Sequence, residues 1–196
     1  MTLEVSVILS PSIDLRVNSV KDLEMAKLSE ARAEELKESM KAAGINFVVY
    51  VPDSWNYLLQ KKIIEDKAFF SVGMVREDEA MATAMGAFMG GKNSAILMEA
   101  SGVGLSGLAL GWLAGLQRMA LLIVSSHVAA LGEHTDYHAV TRTVTFPILA
   151  ALNIQSVILD DIKDARRIFK QAQMTVKGQC VPVSISLPRH ILWEDE

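Results

Sequence analysis

Three short stretches concentrate the side chains able to do chemistry: Pro52–Asp53–Ser54, Arg76–Glu77–Asp78–Glu79 and Ser125–Ser126–His127. A fourth, Glu99–Ala100–Ser101–Gly102, opens the glycine-rich SGVGLSG. The carboxylates offer acid–base groups or acceptors, His127 a proton shuttle near neutral pH, and the free N–H groups of the glycine turn a hold for an anion. Each also has a plain structural role. Glu77, Asp78 and Glu79 stand where acids stabilise a helix N-terminus, each by about 0.3–1 kcal/mol. A histidine at the end of an apolar run suits a buried, satisfied position. SGVGLSG is neither GxGxxG nor a Walker loop and serves equally well as a tight strand-to-helix turn. Ser125–Ser126–His127 lacks the glycines of a nucleophile elbow. His134 and His138 of HTDYH would share a helix face, but no third metal ligand stands at suitable spacing.

The run after Glu77 is unusual. AMATAMGAFMGG carries Thr83 as its one hydroxyl, so a helix there has no polar face and is expected to be buried all round, in the core or at a subunit contact. Gly86, Ala87, Gly90 and Gly91 let another backbone come close. A carboxylate at the head of such a helix is partly desolvated, which strengthens any hydrogen bond it makes to a ligand.

The elements that must position these groups alternate from about residue 29. SEARAEELKESMKAAG has helical spacing with Gly44 as its stop, INFVVYVP is a β-rich run, and DSWNYLLQKKIIED is a helix with Ser54 as N-cap. FFSVGMV, SAILMEA, MALLIVSSH and IQSVILDD are further strands; CVPVSISLP is a last one, where Pro182 favours a sheet edge. VTRTVTFPILAAL is expected to be a loop and short helix broken near Pro147. Asp161 caps a helix that Gly178 ends, and Cys180 belongs to packing in the last strand.

Strands apolar on both faces, each followed by a helix, predict a single doubly wound α/β domain with a mostly parallel sheet of about six strands. Ligands of such sheets bind beyond the strands' carboxyl ends, which is where the four polar stretches fall. Residues 1–28 are expected to form an arm with VSVIL as a strand within it, and 191–196 a tail.

Composition narrows the classes. The 196 residues suit one domain, and although 51% are hydrophobic, no apolar run reaches the roughly 18–20 residues of a membrane span. The N-terminus has no basic segment before an apolar one, so no secretory signal is expected. A single cysteine suits a reducing cytoplasm, and a net charge of −4 without a basic cluster argues against nucleic acid. Ten methionines suit adaptable packing, as at subunit contacts.

VREDEAMATAMGAFMGGK and ASGVGLSGLALGWL together resemble the pyrimidine-binding domain of thiamine diphosphate enzymes. With GINFVVYVPDSW, REDEA and SGVG in the same order, residues 29–190 are most similar to sulfopyruvate decarboxylase alpha subunits and the N-terminal half of phosphonopyruvate decarboxylases. The resemblance implies that Glu77 hydrogen-bonds N1′ of the cofactor's aminopyrimidine and so activates it for attack on a 2-oxo acid. It implies cofactor contacts from Pro52, Ser101 and Gly102. Asp53 and His127 become the acid–base candidates, and Ser54, Ser101 and Gly102 join them in holding a small anionic 2-oxo acid. Asp78 and Glu79 keep the role of helix-start acids.

Glu99–Ala100 departs from the family's Gln–Asn pair, and a carboxylate there would repel a sulfonate or phosphonate if it points into the site. The basic residue that the family carries shortly after the histidine is also missing. No GDG occurs, the motif which with a later asparagine holds Mg²⁺ and the diphosphate. The resemblance therefore implies a partner beta subunit that carries GDG and the asparagine, in a hetero-oligomer (α2β2 or higher) that shares thiamine diphosphate between chains. Carboligation by the same chemistry and a non-catalytic α/β binding module stand as the alternatives, with a flavodoxin-like domain behind them.

Overall fold

The computed structural model describes residues 27–131 and 135–194. The arm through residue 26, with VSVIL, and His134 and residues 195–196 lie outside the described residues. Six strands form one sheet: β1 (Phe47–Tyr50), β2 (Phe70–Gly73), β3 (Ser94–Glu99), β4 (Leu121–His127), β5 (Gln155–Ile158) and β6 (Pro182–Pro188). Their order is β2-β1-β3-β4-β6-β5, and every pairing is parallel. The chain runs outward from β1 to β2, then returns past β1 to β3. This reversal opens a crevice between the carboxyl ends of β1 and β3, where doubly wound sheets take their ligands.

Both faces of the sheet are covered. On one lie α1 (Glu30–Ala42), α2 (Tyr57–Glu65), α7 (Ala165–Gln179) and the short α8 (Arg189–Leu192), packed through Leu36, Met40, Leu59, Ile63 and Phe169. On the other lie α3 (Glu77–Met89), α4 (Ala100–Leu105), α5 (Gly107–Ala109) with a π-helical continuation over Leu110–Leu116, and α6 (Ala139–Ala151). Met81, Met85, Val103, Leu110 and Leu149 fill that layer. Full burial of one such side chain contributes about 1.5–3 kcal/mol. The beginning and end of the described chain meet: Leu28 and Trp193 form an antiparallel bridge, and Ser29 N–H donates to the Leu192 carbonyl at 2.8 Å.

Several local expectations are corrected. β6 is an interior strand between β4 and β5; Pro182 is tolerated because it is the first strand residue, where a missing N–H costs least. α6 runs unbroken through Pro147, whose position and that of Thr143 are exposed, so water can satisfy the carbonyl left without a helix bond. α7 passes Gly178 and stops at Cys180, which is left-handed (φ 52°) and exposed rather than packed in a strand. α2 begins at Tyr57, so Ser54 is not its N-cap. Within this chain the core covers one side of α3: Ala80, Met81, Ala84 and Met85 are buried, while Ala82, Gly86 and Met89 are exposed, so a cover for that second side, if it has one, is a subunit contact. Among the described residues no helix is long and apolar enough to cross a membrane.

Candidate active site

Glu77 is the first residue of α3, at the carboxyl end of β2, and is half-buried. Its neighbour Asp78 is occupied by Arg76, whose Nε and Nη2 donate to the two carboxylate oxygens at 3.1 and 2.8 Å. That hydrogen-bonded pair holds the Asp78 carboxyl below the usual carboxylate range. Glu79 is exposed. Neither the Glu77 nor the Glu79 carboxylate is hydrogen-bonded to a described residue; Glu79 faces solvent, which leaves Glu77 as the half-buried acid open to another partner.

Against Glu77 lies Gly102. A Cβ at position 102 would stand 2.3 Å from Glu77 Cγ and 3.1 Å from its Cδ and Oε1. Only a residue without a side chain leaves Glu77 where it is. SGVG is not the free turn the sequence suggests: α4 begins at Ala100, directly after β3, and Ser101–Gly104 are its opening residues. Ser101 is exposed, whereas Gly102 is buried. The buried Thr145 hydroxyl of α6 donates to the Ala100 carbonyl at 2.6 Å and pins the start of α4.

Asp53 occupies the loop after β1, half-buried between exposed Pro52 and Ser54. Its Oδ1 accepts from the Trp55 N–H at 3.0 Å and its Oδ2 from Asn56 Nδ2 at 2.6 Å. Burial raises the affinity of this carboxyl for a proton; the Trp55 and Asn56 donors and the nearby Ser126 hydroxyl oppose that, although Ser126 Oγ has no hydrogen bond of normal geometry. Asn56 is fully buried and also donates to the Met98 carbonyl of β3 at 3.2 Å, linking the two sides of the crevice. Gln60 supports the same loop, donating to the Val51 carbonyl at 2.8 Å and accepting from the Asp53 N–H at 3.4 Å.

His127 ends β4, opposite Pro188 of β6, with its ring centre 4.9 Å from that of Phe146. Burial alone pushes its pKa down, which favours the neutral imidazole, and its buried Nδ1 has no partner among the described residues. Just past Pro188, the Arg189 guanidinium lies 4.6 Å from the Trp193 ring centre and 6.0 Å from that of Trp55. His138 is buried against Trp55 and Tyr137. Among the described residues no group of three His, Cys, Asp or Glu side chains is placed to hold a metal ion.

The fold thus places all four polar stretches at one edge and brings Glu77 into contact with Gly102, and Asp53 near Ser126. Asn56, Gln60 and Thr145 were not singled out from the sequence, because each acts through a contact distant in the chain. Asn56 alone carried a local signal, as an N-cap type just before a helix.

No family model matches the chain. It is 34% identical over 122 residues to the sulfopyruvate decarboxylase subunit alpha of Methanothermobacter thermautotrophicus, covering 62% of this chain and 74% of that one. The subunit alpha of Methanococcus maripaludis is 26% identical over 164 residues, 84% of this chain and 98% of that one. That of Methanocaldococcus jannaschii is 36% identical over 95 residues, 48% and 56% of the two chains. Among solved structures, the 2-oxoglutarate:ferredoxin oxidoreductase of Magnetococcus marinus superposes with a TM-score of 0.64 at 15% identity. That match covers 83% of this chain and only 29% of the larger one, a likeness of fold. With its six-stranded parallel sheet and this extent of identity, the chain belongs to the sulfopyruvate decarboxylase alpha-subunit family, whose fold is the pyrimidine-binding domain of thiamine diphosphate enzymes.

Proposed function

We propose that this chain is the pyrimidine-binding subunit of a two-chain, thiamine-diphosphate-dependent 2-oxo acid decarboxylase of the sulfopyruvate type. The observation that carries the reading is Glu77, a half-buried carboxylate with no partner among the described residues, resting on a glycine at the ligand edge of the sheet. An aminopyrimidine fits this arrangement. Its N1′ is a ring nitrogen that can share one proton with the carboxyl group, and Gly102 keeps a side chain out of the space beside it. When bound, thiamine diphosphate supplies the carbon nucleophile and the electron sink for loss of carbon dioxide.

The chain's own residues have separable tasks. Glu77 holds the proton shared with N1′. The opening residues of α4, Ser101 and Gly102, with Pro52 across the crevice, border the cofactor, and Ser54 and Ser101 offer hydroxyls to the anionic end of the substrate. Asp53 and His127 are the two groups able to move a proton at the reacting carbon: burial raises the affinity of the first for a proton and lowers that of the second. Glu99 heads α4 and disfavours a second strong anion near it, which leaves room for a 2-oxo acid other than sulfopyruvate and for carboligation onto an acceptor. Product analysis with an aldehyde present separates these outcomes.

Without GDG the chain has no means of its own to hold Mg²⁺ and the diphosphate. These fall to a beta subunit in a hetero-oligomer (α2β2 or higher), assembled in the cytoplasm, where the exposed Cys180 would stay reduced. The decisive variant is Glu77→Gln, assayed with the partner subunit. It should assemble normally and lose turnover by roughly 100-fold or more, the scale of a lost acid–base contact. Full activity would end the assignment, and failure to bind thiamine diphosphate even with the partner would favour a non-catalytic α/β module.

A further inference from the structure

We propose that Asn56 is a positioning residue that fixes the Asp53 carboxylate as a hydrogen-bond acceptor beside the crevice between β1 and β3. The inference rests on the reading of Asp53 as a proton-transfer group, and goes beyond it by naming the side chain that sets its state.

Asn56 stands at the N-cap position of α2, with φ −91° and ψ 5°, yet its side chain makes no cap hydrogen bond. Asparagine is favoured at that position because its Oδ1 can accept a free helix N–H. Here Oδ1 is buried with no partner among the described residues, and the amide nitrogen is turned the other way. Nδ2 donates to Asp53 Oδ2 at 2.6 Å and to the Met98 carbonyl at 3.2 Å. The second bond decides the orientation of the amide. Reversal would set Oδ1 against the Met98 carbonyl, two acceptors facing each other in a buried place, so only the donor can face Asp53. A protonated Asp53 could not donate to Asn56 in this arrangement, and the amide donor favours the ionised form, the stronger acceptor.

Among the described residues, the other groups that bear on Asp53 are neutral. Its own loop supplies the Trp55 N–H, α2 supplies Gln60, β4 supplies the Ser126 hydroxyl, and β3 enters through Met98. Among the described residues no lysine, arginine or histidine is hydrogen-bonded to the carboxylate. Desolvation drives Asp53 towards its protonated form, and the Asn56 donor opposes it. Removing that donor should therefore raise the pH at which Asp53 ionises, so that at a given pH less of it is available as a base.

The test uses the full chain with Asn56→Leu, which keeps the branching of the side chain without a donor, and Asn56→Ala as a second variant that adds no bulk. The Asp53 carboxyl is titrated by carbon NMR in selectively labelled protein, and the pH profile of kcat is measured with the partner subunit present. The Asp53 midpoint should rise by about one pH unit, the scale of one charge-assisted hydrogen bond, and the acidic limb of kcat should move up with it. A merely structural role would lower the amplitude of kcat and leave both midpoints in place. An unmoved Asp53 titration in a folded variant overturns the proposal. A shifted titration with an unmoved kcat profile supports the role of Asn56 and removes Asp53 from the proton-transfer step.

Discussion

Gly102 and Glu77 act as one unit although they belong to different helices. Gly102 shows no left-handed backbone conformation, so its constraint is space and not φ. In the opening turn of a helix an alanine is ordinarily the better residue, by about 1 kcal/mol. Here its methyl group would overlap Glu77 Cγ, an atom near the root of that side chain, and Glu77 would have to swing away. Gly102→Ala should therefore leave thermal stability within a few degrees of the parent while lowering turnover by roughly 10- to 100-fold, the cost of misplacing a positioned group. Melting curves and steady-state rates on the same preparation measure both effects. A variant that melts far below the parent would show that Gly102 serves the fold more than the carboxylate.

Among the elements, α4 depends on α6 for its position. Gly104 of α4 and Gly107 of α5 bring these segments close to α6: a Cβ on Gly104 would lie 2.8 Å from Val144 Cγ1, and one on Gly107 would lie 3.2 Å from Ile148 Cδ1. Thr145 then ties α6 to the first residue of α4 through its bond to the Ala100 carbonyl. Thr145→Val keeps the shape and removes the donor, and should cost about 1 kcal/mol, the typical net worth of a buried hydrogen bond, read as a lower urea midpoint with unchanged slope. An unchanged midpoint would show that the glycine contacts alone hold α6 against α4 and α5. The alternation of elements was legible because β3 and β4 are apolar almost throughout, which only a sheet covered on both sides requires. The features that were not legible depended on tertiary context. SGVG looked like a turn because its glycines suit one, but they serve the contacts of α4 with Glu77 and Val144. Pro182 pointed to a sheet edge and Pro147 to a helix break, and each sits where a missing N–H is tolerated. The role of Asn56 depends on Met98, a strand away, and no spacing in the chain announces that.

The molecule as a whole is lopsided in what it exposes. On the face carrying α3, α4 and the π-helical segment, Leu105, Leu108, Trp112 and Leu116 are 62%, 76%, 60% and 64% exposed, and Met89 of α3 is 69% exposed. The π-helical turns carry Trp112 and Leu116, an irregularity that recurs at functional sites. So many large apolar groups along one ridge mark a surface that another molecule covers. This ridge is continuous with Gly102 at the head of α4, and α3 beside it begins with Glu77, so a subunit docking there would close over the proposed cofactor position. Leu108→Glu should weaken association with the proposed diphosphate-binding subunit by roughly 10-fold or more, as expected for a charge set into an interface centre. The chain's own melting temperature should hardly change, because Leu108 is a surface residue of the isolated chain. Met174→Glu is the control: Met174 is 65% exposed, but it sits on α7, across the sheet. Titration calorimetry of each variant against the partner separates the faces. Equal weakening by both variants, or none by Leu108→Glu, would place the partner elsewhere and leave the exposed ridge of α4 to another contact.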